Sequence, residues 1–209
     1  MSRATQPTLK PRKTPVQRRS TVTVDAILEA AIQVLVSVGK EQLTTTRVAE
    51  RAGVSVGTLY QYFPNKRALL QAALRRHIAE VAGAIEGVCV EYRNRGLLEM
   101  GTALVDAYLD AKMRNVKVSV ALYAVSSDIE GMAIAKAATA RSLHRTTDLI
   151  ATAPEKLLKE PDVIASMVLA AMNGTAHRLL DASSPEKLLA PLRAELVALI
   201  HAYLRTCVA

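Results

Sequence analysis

Tryptophan is absent from this 209-residue chain, and its other aromatics are six tyrosines and a single phenylalanine. So thin a supply of large flat side chains argues against a β-sandwich built on aromatic and β-branched alternation. The two cysteines, Cys89 and Cys207, lie far apart and in no CxxC arrangement. Neither a disulfide framework nor a thiolate metal site is expected of them, and both read as buried or incidental thiols in a reducing cytoplasm. The four histidines, His77, His144, His177 and His201, stand singly. No Gly-rich phosphate loop, GxSxG or HExxH segment occurs, so neither catalysis nor a cofactor is expected. In the second half the longest charge-free run, Val163 to His177, has 15 residues, whereas a bilayer span needs about 20. No membrane helix is expected. The first 24 residues are basic but lack an apolar h-region, and Asp25 and Glu29 interrupt the apolar stretch that follows, so a secretory signal is not expected either, a transit peptide being the alternative.

What is present is an apolar half (50%) in a chain of net charge +8, rich in Ala, Leu and Val, the residues of helix-on-helix packing. An all-α protein is expected. The charge is unevenly placed: residues 1–76 hold 13 basic against four acidic groups, and residues 77–209 hold 14 basic against 15 acidic. One basic module joined to one neutral module is the asymmetry expected when only the first faces a polyanion, although a solvated positive surface would look the same.

Residues 1–20 contain Pro7, Pro11, Pro15, six basic groups and no acid. That composition cannot bury enough apolar area to fold alone and reads as a disordered basic arm. The arm is either solvated tail or a source of minor-groove and phosphate contacts. From a Thr23 cap, Ile27, Leu28, Ala31, Val34, Leu35 and Val38 recur at helical spacing up to Gly39. A short helix then follows the Thr44/Thr45 cap and closes at Gly53. The next opens at Ser55, runs through Val56-Gly57-Thr58-Leu59-Tyr60-Gln61-Tyr62-Phe63 and stops at Pro64, and Asn65 caps a long fourth helix. Two helices of about two turns on either side of a Gly turn form a helix-turn-helix. Beyond residue 95 the helical period continues over about 97–114, 116–127, 128–153, 161–181 and 185–206. The expected domains are thus residues 21–66 for the helix-turn-helix and 67–209 for a helical module.

A recognition helix must be narrow at its N-terminus to approach base edges in the major groove, and Val56-Gly57 makes it so. Thr58, Tyr60 and Tyr62 offer hydroxyls on the exposed side, while Leu59 and Phe63 are spaced to face the core. Thr45 and Lys66, at the starts of two helices, are placed to hold phosphates beside helix N-terminal N–H groups. Tyr60 and Tyr62 could instead be aromatics at the core edge, and at least one of Thr44 to Thr46 must serve as a cap.

The run from Thr44 to Lys66, TTTRVAERAGVSVGTLYQYFPNK, resembles the tetracycline-repressor (TetR) family of bacterial regulators, and the similarity extends over residues 23 to about 80. The resemblance implies that Thr45, Thr58, Tyr60, Tyr62 and Lys66 contact the DNA backbone and that Thr46, Val56, Gly57 and Gln61 lie nearest the bases. With Thr46 where some members carry Arg, a bidentate guanine contact is unavailable there. Val56 could meet a thymine methyl, and Gln61 an adenine.

An operator read by such motifs is two-fold, which calls for a homodimer. The segments near 161–181 and 185–206 are apolar over more than one stripe, enough to serve their own domain and a partner, although the second stripe could equally be buried within the monomer. The resemblance implies that these final two helices form the dimer and that residues 97–153 enclose a small-molecule effector site. Met100, Tyr108, Met113, Tyr123, Met132 and His144, with Asn173 and His177, are the polar or soft groups available to line it, each of which could equally be core or surface. A lipophilic or weakly polar effector fits better than a sugar phosphate. The reading that follows is a sequence-specific repressor released by its effector. A sequence-tolerant, nucleoid-type DNA binder without an effector is the alternative.

Overall fold

The computed structural model describes residues 15–126 and 129–209, with side chains described for 20–125 and 131–209. Among the described residues the chain is all-helical. In order, the helices are α1 (Pro15–Gln42), α2 (Thr45–Ala52), α3 (Val56–Tyr62), α4 (Lys66–Glu91), α5 (Leu97–Met113), α6 (Val116–Ser126), α7 (Ile129–Ile150), α8 (Pro161–Leu180) and α9 (Pro185–Arg205). An isolated bridge pairs Leu157 with Val208.

Local sequence accounts for most of the boundaries. Thr44, Ser55 and Asn65 are extended N-caps whose side chains accept from the backbone N–H of Arg47, Thr58 and Ala68, satisfying donors that a helix start leaves free. Gly53 takes the left-handed conformation at φ 68° and returns its N–H to Ala49 and Glu50, a conformation that a Cβ would penalise. Gly39, at φ 77°, breaks the helical path of α1 where its apolar period ends, and a further turn follows to Gln42. The start of α1 differs from expectation. Helix begins at Pro15, whose fixed φ suits a first helical position, and Thr23 lies inside it rather than capping it. Residues 15–20, expected in the disordered arm, are therefore helical, while residues 1–14 of that arm lie outside the described residues.

Two cores result. The first joins Ile27, Ala31 and Leu35 of α1 to Val48 and Ala49 of α2, Leu59 of α3, Phe63 just beyond it, Leu69, Leu70, Ala73 and Leu74 of α4, and Leu122 and Val125 of α6. The second joins the later turns of α4 to α5, α8, α9 and the end of α7. The helical core expected up to residue 66 thus extends into α4 and takes part of α6 as well. Arg76 fastens α4 to α1 through Glu29 at 3.0 Å. Arg193 fastens α9 to α5, donating to Asp106 at 2.7 Å and also to Asp110. Ser20–Gln42 and Pro161–Leu180 are long and apolar enough to cross a membrane by length and composition, longer stretches than the 15-residue charge-free run counted from sequence. Each contributes buried residues to one of the two cores.

Candidate nucleic-acid interface and ligand cavity

The helix-turn-helix is held from inside by Leu59, 0% exposed, and Phe63, 8% exposed, against Val48, Ala49 and the first turns of α4. With that face filled, Thr46, Gly57, Tyr60 and Gln61 are exposed. Two hydroxyl pairs organise the surface: Thr45 Oγ1 lies 3.1 Å from the Tyr60 hydroxyl, and Ser55 Oγ lies 2.8 Å from Thr58 Oγ1. Lys66 donates from Nζ to the Glu41 carbonyl at 3.2 Å, placing its ammonium group where α1 ends. Thr58 and Tyr62, expected on the exposed side, are half-buried, as is Val56. Val56 and Tyr62 pack on the first core, because each lies three residues from the buried Leu59 and so falls on its side of the helix. Tyr62 thus combines the core-edge and surface readings left open above.

A cavity of about 630 Å³ lies among α4, α5, α6, α7 and α8. Of the residues expected to line it, Tyr108, Tyr123, Met132, Asn173 and His177 do so. Met100, Met113 and His144 are corrections. Met100 and Met113 are 0% and 9% exposed and belong to the second core, on turns of α5 that face α4, α8 and α9 instead of the cavity. His144 points to solvent with its side chain 74% exposed and approaches Asp148 one turn on at 3.6 Å. The cavity also gathers His77, Lys112, Ser119, Ser142 and Met172, none of which was expected there. A signal for two of them was present in the sequence. His77 continues the Leu70, Ala73, Leu74 stripe of α4, and Lys112 continues the Leu104, Val105, Tyr108 stripe of α5, so each is a polar residue on an apolar face.

The polar groups fall into a deep set and a mouth set. In the deep set Tyr108, 5% exposed, donates its hydroxyl to Asn173 Oδ1 at 2.7 Å, and burial holds its pKa well above the usual phenol value, keeping it a donor. Ser119 Oγ donates to the Lys112 carbonyl at 2.6 Å, so its 3.3 Å contact with His77 Nε2 requires the imidazole to donate. Burial first, and Lys112 second, lower the His77 pKa from 6.5 to about 4, so the ring is neutral. At the mouth Tyr123 OH lies 3.0 Å from His177 Nδ1 with the rings edge-on, centroids 4.9 Å apart, beside Met132, 54% exposed. Both cysteines are free and buried, and burial raises the Cys89 thiol pKa, as suits inert thiols.

An N-terminal three-helix unit presenting polar groups on its short third helix, set on a helical body with an internal cavity, defines a helix-turn-helix transcription regulator. Residues 27–73 match the family model "Bacterial regulatory proteins, tetR family", and residues 97–204 match "Tetracyclin repressor-like, C-terminal domain". The chain belongs to the tetracycline-repressor family, whose members are DNA-binding transcription regulators and not enzymes. It is 33% identical over 103 residues to the uncharacterized HTH-type transcriptional regulator YvkB of Bacillus subtilis, covering 49% of this chain and 53% of that one. The chain thus spans about half the length of this curated relative. Among solved structures, the fold is shared with SmeT, repressor of a Stenotrophomonas maltophilia multidrug efflux pump, in its complex with triclosan (TM-score 0.68, 17% identity, covering 90% of this chain and 92% of that one). It is shared also with FadR of Bacillus subtilis in complex with stearoyl-CoA (TM-score 0.68, 17% identity, covering 84% of this chain and 96% of that one).

Proposed function

We propose that this regulator is a homodimeric repressor released from an inverted-repeat operator by a small lipophilic or weakly polar effector that enters the cavity. The observation that carries the reading is the double duty of α6. Leu122, 0% exposed, lines the cavity and is at the same time part of the core beneath the recognition helix. An effector that shifts α6 must therefore repack the helix-turn-helix support, because close-packed interiors do not deform without moving neighbours. Release then follows if the effector favours the conformation in which the two recognition helices no longer match successive major grooves.

In this reading Thr45, Thr58, Tyr60, Tyr62 and Lys66 hold backbone phosphates, and Thr46, Val56, Gly57 and Gln61 approach the bases. Solvent-facing residues Val163, Met167, Ala170 and Gly174 of α8, with Leu199 and Ala202 of α9, form the dimer face. They are spaced along one side of each helix, while Ile164, Val168, Leu196 and Ile200 are buried on the adjoining side. Triclosan bound by SmeT, and the stearoyl chain of the acyl-CoA bound by FadR, support an effector with a large apolar part for this chain.

The test is selection of bound duplexes from a random DNA pool at physiological salt, followed by effector screening on the recovered sequence. Recovery of one inverted repeat supports the reading. Recovery of no consensus would replace it with a sequence-tolerant DNA binder.

A further inference from the structure

Among the described residues Lys112 is the one charged side chain lining the cavity, and no aspartate or glutamate lines it. Its ammonium group forms no ion pair among the described residues, and burial lowers its pKa. Lys112 is half-buried, and an ammonium partly withdrawn from water without a counter-charge loses hydration that nothing replaces, so a ligand that supplies the charge gains what the protein lacks. The adjacent polar atoms do not supply it. Ser119 Oγ spends its proton on the Lys112 carbonyl and accepts from His77, and the Tyr108 hydroxyl is committed to Asn173. Much of the remaining wall is apolar, including Leu74, Ile78, Val81, Ile85, Leu169 and Met172, with Thr139 and Ser142 contributing hydroxyls.

We propose that the cavity selects an apolar monocarboxylate, an aliphatic or aryl acid whose carboxylate pairs with Lys112 while its hydrocarbon body lies against α4 and α8. This rests on the reading of the cavity as the effector site and narrows it to one chemical class. A single cation matches a single negative charge. A phosphate dianion would need further donors to offset its desolvation, and the neutral His77 does not provide a second positive charge. An amine of the same shape would meet Lys112 as a like charge, and an alcohol would leave the ammonium group unpaired.

Decanoate, decanol and decylamine share one tail and differ in head group, so their calorimetric affinities for the full chain isolate the charge. Decanoate is expected to bind about tenfold or more tighter than decanol, the ratio given by one charge-assisted hydrogen bond, and decylamine more weakly than either. Lys112→Met keeps the stem and removes the charge, so it is expected to fold and to lose the preference for decanoate over decanol. Equal binding of decanoate and decanol by the parent, or a preference retained in Lys112→Met, would overturn the carboxylate proposal and leave the cavity as a ligand site. Failure of all three compounds to bind, or decanoate binding undiminished in the cavity-filling variant Ala138→Trp, would overturn the cavity reading along with it.

Discussion

The Tyr60 hydroxyl and Thr45 Oγ1 lie 3.1 Å apart, joining the first residue of α2 to the recognition helix on the face that the buried Leu59 leaves free. Because Tyr60 is 47% exposed, the pair stabilises the fold little but fixes two hydroxyls at one spacing. If that spacing serves phosphates, Tyr60→Phe should weaken operator binding about five- to tenfold, the loss of ~1 kcal/mol of hydrogen bonding. The unfolding free energy should stay within ~0.5 kcal/mol of the parent. Fluorescence anisotropy with an operator duplex and urea titration measure the two. Unchanged DNA affinity would mean that the pair only ties α2 to α3.

The proposed dimer face can be tested without disturbing the monomer core, since Met167 and Leu199 are 52% and 61% exposed. A carboxylate at either site should be tolerated by an isolated chain and rejected by an apolar interface. The double variant Met167→Glu, Leu199→Glu should sediment as a monomer with unaltered helix content. It should lose operator affinity by about two orders of magnitude or more, because two linked recognition helices no longer bind as one unit. A dimer persisting in the variant would place the interface elsewhere.

His77 makes stability depend on acid pH in a stated direction. Its pKa falls from 6.5 to about 4 on folding, so between those values the unfolded chain binds a proton that the folded chain refuses. The stabilisation from a neutral His77 is complete above pH 6.5 and is lost as pH falls toward about 4, by an amount on the order of 2–3 kcal/mol. In His77→Gln this component should vanish. Chemical denaturation of both proteins across the window should show their stability difference changing with pH between those limits and flat on either side. A difference that does not vary with pH would mean that His77 is solvated in the folded protein.

A Cβ added at Gly101 would sit 2.7 Å from Leu204 Cδ1 and 3.1 Å from Ile200 Cγ2, so a larger residue there must displace side chains of α9. Both neighbours are buried, at 1% and 2% exposure, leaving them little room to rotate away. Gly101→Val should cost about 2–3 kcal/mol through overpacking, read as a lower Tm. Since Gly101 is remote from the helix-turn-helix, operator binding by the remaining folded protein should be unaffected.

The amino-acid sequence alone determined the local grammar. Thr44, Ser55 and Asn65 act as caps, Gly53 as a left-handed stop, and Leu59 and Phe63 as the inward pair of the recognition helix. Each effect operates within one or two turns, where residue type and spacing carry the physics. The same holds for the helix breaks at Gly96, Pro161 and Pro185, and for the motif from Thr44 to Lys66 that marks the family. The start of α1 was less legible, because Pro15 and Thr23 are both acceptable first positions, and a helix extended by Val16 to Val22 outcompetes the nearer cap. Only the tertiary structure decided which polar residues share a cavity. Met100, Tyr108, Met113 and Lys112 all lie on α5, yet only Tyr108 and Lys112 face the cavity, because the neighbouring helices fix the rotation of α5 and cover Met100 and Met113. Nor does any periodicity reveal that Leu122 joins the cavity to the core of the helix-turn-helix. That connection requires α6 to lie between them, and its position is set by contacts among residues distant along the chain.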